Sequence, residues 1–259
     1  KNTYAVQLAR LSLWLVTMAR NEPFTFVNHA IRHGDSLVGL SFDQIRAFDW
    51  KPKSQLEMPA QLLREALDEA VGIRKQILDL ASEGTYLAQR EKERLLGDAE
   101  DALERVRLVG DLVVGAFFAG KNEKEREAER KRRLDRVDHW IAAEKRGDWG
   151  AAESLLVELK AMQEEIRREQ VPFHWMIEFP EVFYADRPDP LDGGKVNGAA
   201  FVDAFVGNPP FLGQKYVASS FGEAYRDWLF EASPGTVGRC DLSAHFVRLA
   251  DRLIGRHGT

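Results

Sequence analysis

Phe201-Val202-Asp203-Ala204-Phe205-Val206-Gly207-Asn208-Pro209-Pro210-Phe211 is the stretch on which the fold class turns. Its first six residues form a nearly continuous apolar run, typical of a central parallel strand covered on both faces. Gly207 and Asn208 end the run, and two prolines follow. In an open parallel sheet, active sites form at the carboxyl ends of strands. The sequence therefore predicts an α/β fold with Asn208-Pro209-Pro210-Phe211 as its reactive loop.

Those four residues suit methylation of a conjugated amine. The exocyclic nitrogen of adenine is a poor nucleophile because its lone pair is delocalised into the ring. Two fixed acceptors for its N–H bonds favour a more tetrahedral nitrogen and stabilise the positive charge that develops during attack. The Asn208 side-chain carbonyl offers one acceptor and the Pro209 backbone carbonyl the other. Proline fixes φ and lacks an N–H, so such a turn is rigid and lined by carbonyls. Phe211 gives a face on which a base turned out of its duplex can stack. Taken alone, the same tetrapeptide also reads as a turn closing a strand.

Working outward, charge density divides the chain into three blocks. Residues 51–171 carry 23 Lys+Arg and 26 Asp+Glu, about twice the density of the flanks, which marks solvated helices between parts of a buried core. Leu56, Leu63, Leu67, Val71, Ile77 and Leu80 fall on one helical stripe, and Leu95, Leu96, Leu103, Val106, Val109, Leu112, Val113 and Phe117 on a second. Asp148 is placed to cap a third helix bearing Leu155, Leu159, Met162 and Ile166. Antiparallel helices forming an arm or small bundle are expected here. In the first block, Val6 to Met18 predicts a helix apolar nearly all round, covered on most sides. Phe24-Thr25-Phe26-Val27 follows, and residues 30–39 predict a short strand ending in a Gly34-Asp35-Ser36 loop. In the third block, Phe173 to Phe179 has strand chemistry, and Asp241 opens a last helix with Leu242, Phe246, Leu249 and Leu253 on one side.

With 44% hydrophobic and 30% charged residues, the chain has the composition of a globular protein. It lacks the run of roughly 18 apolar residues that a membrane span needs. No leader pattern is present, and a lone Cys240 excludes an internal disulfide, so a cytoplasmic location is expected. A net charge of -5 argues that any grip on a nucleic-acid backbone lies mainly outside this stretch. No pair among His29, His33, His139, His174, His245 and His257 has metal-ligand spacing, so no metal is expected. Arg130 to Arg133, flanked by Glu123, Glu125, Glu127 and Glu129, reads as a solvated helix face, and Trp175 and Phe179 as core. Lys215, just behind the loop, is a candidate for a phosphate contact.

Several separate signatures resemble the methylase part of the large adenine-methylating enzymes of type IIG restriction systems and related phage-defence systems. Tyr4 to Leu15 is similar to the helix after that family's second cofactor motif, and Gly34-Asp35-Ser36-Leu37 to its third. Asp111 to Phe118 is similar to a helix of the family's insertion, and Phe173 to Phe183 to the segment ahead of the catalytic strand. Phe211 to Lys215 and Asp241-Leu242 continue the likeness, with Phe211 where Tyr is commoner. The resemblance implies a partial Rossmann-like class I methyltransferase sheet interrupted by a large, charged, all-helical insertion. Residues 1–48 and 172–259 would be the two core parts and 49–171 the insertion.

The same resemblance implies S-adenosylmethionine as cofactor, with Asp35 and Ser36 at its adenine, and adenine in double-stranded DNA as target. The family's glycine-bearing first motif is absent, and its ribose-binding acid would fall before Lys1. Recognition residues would lie beyond Thr259, so this chain by itself is expected to bind the cofactor weakly and transfer no methyl group. Two other functions fit parts of the sequence. One is an Asn-Pro-Pro enzyme acting on a protein glutamine or RNA, against which the long helical block argues. The other is a helical scaffold, which leaves the flanking signatures without a purpose.

Overall fold

The computed structural model describes residues 3–17, 30–51, 57–80, 85–184, 187–188, 196–197, 202–231 and 240–254. Helix α1 (Thr3–Thr17) and the short α2 (Phe42–Ala47) precede four long helices. These are α3 (Glu57–Asp79), α4 (Tyr86–Ala119), α5 (Glu123–Lys145) and α6 (Trp149–Glu169). Single turns α7 (Trp175–Glu178) and α8 (Pro180–Phe183) follow, then strands β1 (Arg187–Pro188) and β2 (Val196–Asn197). Helices α9 (Gln214–Phe221), α10 (Glu223–Glu231) and α11 (Leu242–Leu253) complete the described chain.

Helix α4 is the axis of the molecule. Its 34 residues reach about 51 Å at 1.5 Å per residue. Thr85 starts it by accepting the Ala88 N–H, and every residue from Leu108 to Phe117 is buried. Apart from Asp111, that stretch is apolar on all sides because α3, α5 and α6 pack along the helix, with α7 and α10 against it as well. Helix α3 contributes the middle of the expected stripe, with Leu63, Leu67, Val71 and Ile77 buried; Leu80, just past its end, is half-buried, and Leu56 lies outside the described residues. Asn122 caps α5 and Asp148 caps α6, each accepting a backbone N–H three residues on. The arginine run on α5 is only partly a solvated face: Lys131 and Arg132 are exposed, whereas Arg133 is buried and donates to the Leu112 carbonyl at 3.4 Å. Burial pushes the Arg133 guanidinium below its ordinary range. Arg126, also buried, lies over the Phe117 ring and bonds Asp227 and Glu231 of α10.

The expected α/β class is overturned: the described residues are predominantly helical, and no Rossmann-like sheet is formed among them. Extended pairing is confined to the two-residue antiparallel ladder of β1 with β2 and to two isolated parallel bridges, Asp35 with Pro172 and Val202 with Ile254. The first bridge does not lengthen. Asp35 donates to the Val171 carbonyl and Phe173 to the Val38 carbonyl, both at 2.7 Å, and the pairing ends there. Beyond it, Ser41 and Gln44 cap each other in a reciprocal box that turns the chain into α2. On the other side, His174 leads straight into α7, so residues 173–179 are not a strand. Val202 to Val206 is not a buried central strand either: Asp203 and Ala204 are exposed and Val206 is 100% exposed.

Helix α1 departs from expectation too. Tyr4 is 81% exposed, Val16 80% and Leu8 63%, so its apolar surface is not covered by the described residues. Arg10 ties it to the Ile31 carbonyl at 2.9 Å. The segment Phe24 to Val27 lies outside the described residues.

Candidate active site

Helix α11 fixes both ends of the loop that carries Asn208. At the near end, Val202 donates to the Leu253 carbonyl at 2.9 Å. At the far end, the Leu212 N–H reaches Asp241 Oδ1 at 3.3 Å, while Leu242 donates to the Leu212 carbonyl at 2.9 Å. Asp241 is also the N-cap of α11, where it accepts from the Ser243 backbone at 2.9 Å and hydroxyl at 2.8 Å. Those Ser243 bonds, joined by the one from Leu212, hold its carboxyl below the usual carboxylate range. Residues 203–211 are thus stretched along a twelve-residue helix, about 18 Å long, and pinned at each end.

Within the loop, the structure presents the side chains outward. Asn208 and Pro210 are exposed, Pro209 is half-buried and Phe211 is 82% exposed. Lys215 sits in the first turn of α9, exposed, with its ammonium 4.7 Å from the centre of the Tyr216 ring. Phe205 is half-buried as well, and its ring lies 5.7 Å from that of Trp175.

Trp175 connects this loop to the Gly34-Asp35-Ser36 segment. Its indole N–H donates to the Ser36 carbonyl at 3.1 Å, and its ring meets Phe173 edge-on at 5.0 Å. It is half-buried at this junction rather than sealed in a core. The close approach depends on glycine: a Cβ at Gly39 would lie 2.0 Å from the Phe173 carbonyl oxygen. A cavity of about 560 Å³ opens here. Ser36, Leu37, Gly39 and Leu40 form one wall, Phe173, Trp175 and Met176 another, and Leu249, Arg252 and Leu253 of α11 a third. Its mouth carries Asp43, Lys51 and Glu231, the last two paired at 2.6 Å.

The two residues expected at the cofactor are placed differently from each other. Ser36 lines the cavity, whereas the buried Asp35 turns its Oδ1 to the Leu37 N–H and the Tyr225 hydroxyl, both at 3.2 Å. Burial, then the adjacent Asp35 carboxylate, pushes the Tyr225 phenol well above its ordinary value. Tyr225 carries no local signal in the sequence, since its partner lies 190 residues earlier. The aromatic link from Ser36 through Trp175 to Phe205 is likewise a product of packing. Asp241 was legible as the start of the last helix, but not as its cap or as the anchor of the Asn208 loop.

In comparisons with known proteins, residues 1–259 match the family model described as Eco57I restriction-modification methylase. No curated protein and no solved structure matches the chain.

Proposed function

We propose, on the premise that this chain belongs to the Eco57I restriction-modification methylase family throughout its length, that its methyl transfer is aimed at N6 of adenine in double-stranded DNA. S-adenosylmethionine is the donor in this proposal. Bound, it would supply an electrophilic methyl group on a sulfonium to an amine held by Asn208 and Pro209.

The observation that supports this reading is the display of Asn208 and Phe211 on a loop whose ends are fixed by α11. The Asn208 side-chain carbonyl and the Pro209 backbone carbonyl accept the two N–H bonds of the target amine. Because the loop is tethered before the base arrives, these acceptors need little reorganisation as positive charge develops. Phe211 stacks on the extruded base, and Lys215 meets a phosphate beside it.

The residues around the cavity suit the donor's adenosine end. Its volume lies within the range for small-ligand sites, and Phe173, Trp175 and Leu37 offer apolar contact with Ser36 as a polar group. Asp35 supports the Ser36 turn from behind through Leu37 and Tyr225. The test is mass analysis of nucleosides from duplex DNA treated with the full-length protein and S-adenosylmethionine. N6-methyladenine is expected; methylated cytosine, or no methylated nucleoside, overturns the assignment.

A further inference from the structure

His174 is fully buried, and so is Asp111, the one charged residue between Leu108 and Ala119 of α4. The imidazole makes two opposite bonds. Its Nδ1 accepts the Leu40 backbone N–H at 3.0 Å, and its Nε2 faces Asp111 Oδ1 at 3.2 Å. A backbone N–H can only donate, so Nδ1 is unprotonated and the proton of the neutral ring sits on Nε2, pointing at the carboxylate. The other oxygen of Asp111 accepts from Gln163 at 2.6 Å and from Arg167 at 2.7 Å, both on α6. Burial by itself would raise the Asp111 carboxyl, but His174, Arg167 and Gln163 outweigh it and hold it below its ordinary value. Space for the ring comes from Gly110, where a Cβ would lie 2.7 Å from His174 Nε2.

This arrangement stands directly behind the cavity. Leu40, Phe173 and Trp175, which are the bonded partner and the two chain neighbours of His174, all line it. A helix of the middle block therefore selects the tautomer of a histidine that grips the cavity wall. We propose that His174 is a positioning residue, held by Asp111 in its Nε2–H tautomer, that fixes the Gly39–Leu40 backbone at the wall of the cavity and so sets its affinity for the adenosine end of the donor. The identity of the occupant rests on the function proposed above; the grip on Leu40 does not.

Two substitutions separate the two bonds. His174→Asn puts an amide oxygen near the place of Nδ1 and keeps an acceptor for Leu40, while giving up Asp111. His174→Gln puts an amide N–H near the place of Nε2 and keeps the donor to Asp111, while giving up Leu40. Hydrogen–deuterium exchange of the peptide covering residues 34–41, measured in the full-length protein, reads the Leu40 bond directly. Exchange at Leu40 rises by up to about tenfold in His174→Gln, the effect of one net hydrogen bond, and stays near wild type in His174→Asn. The KM for S-adenosylmethionine follows the same order, with kcat nearly unchanged. Loss of Asp111 alone, as Asp111→Asn, frees the ring to take the other tautomer and raises Leu40 exchange without touching the cavity. Equal effects of His174→Asn and His174→Gln, or unchanged Leu40 exchange in His174→Gln, overturn the positioning role. If exchange separates the variants while the KM for S-adenosylmethionine stays fixed in both, the grip on Leu40 stands and the adenosine assignment of the cavity falls.

Discussion

Two apolar stretches of this chain have opposite fates. Leu108 to Phe117 in α4 is buried at every residue, with the Phe117 ring 5.3 Å from Trp50 and 5.1 Å from Trp228. Val202 to Phe211 is similarly apolar, yet it forms a loop in which Val206 is 100% and Phe211 82% exposed. Composition does not separate them. What differs is what surrounds each: α3, α5 and α6 with α7 and α10 enclose the first, whereas α11 holds only the ends of the second. One stretch gives the molecule its rigidity, and the other displays groups that a large flat substrate can reach.

The sharpest way to break this comparison is to truncate one residue in each. Leu112→Ala removes a fully buried side chain from the axis and is expected to destabilise the protein by about 2–5 kcal/mol, read by denaturant unfolding. Asn208→Ala is expected to leave the unfolding midpoint in place, because its side chain is exposed. Its cost falls on methyl transfer, by about 3–4 kcal/mol at the transition state or several-hundredfold in kcat, as for loss of one preorganised group aimed at developing charge. An Asn208→Ala protein that unfolds as early as Leu112→Ala, or methylates at the wild-type rate, would show that the loop is structural.

Much of the helical block was legible because its signals are local. The stripe Leu63, Leu67, Val71 and Ile77 lies within one helix, and Asp148 caps a helix by bonding a backbone N–H three residues on. The sheet was misread because an apolar run states only that its residues tolerate burial, not that partners exist to bury them. Val202 to Val206 has the chemistry of a strand, but only Val202 finds a bridging partner, in Ile254. Phe173 to Phe179 alternates like a strand, but His174 is drawn inward by Leu40 and Asp111, and the chain coils into α7. Asp111, in the sequence a charge within a helix, has its partner 63 residues away. The glutamates around Arg133 in sequence point to a solvated side chain, whereas Gly115 opens the face of α4 that it occupies.

A smaller effect sharpens the same contrast. Phe211→Ala removes an exposed ring that the proposed function places against an extruded base. Stacking of this kind contributes about 1–3 kcal/mol per base, so the KM for DNA should rise between about fivefold and a hundredfold. Unfolding by denaturant should be unchanged, and Phe211→Tyr should restore the KM because it keeps the aromatic face. An alanine variant with normal KM would remove Phe211 from the substrate site.

The smallest effect concerns the anchor where the two kinds of region meet. Asp241 caps α11 and holds Leu212, and the N–H and hydroxyl of Ser243 with the Leu212 N–H depress its carboxyl in the folded protein. A carboxyl depressed on folding contributes stability that is fully present above its unfolded value of about 3.9 and is lost as pH falls through the folded value. Asp241→Asn keeps an acceptor at the cap but cannot carry the charge. At pH 7 the variant should therefore melt slightly below wild type, and the gap should close as the pH is lowered below about 4. Other carboxylates titrate in the same range, Asp111 and Asp227 among those held low, so the quantity to follow is the difference between the two proteins. A Tm difference that stays constant from pH 7 to 3 would mean that the loop end is held by the Leu242 to Leu212 backbone bond without help from the Asp241 charge.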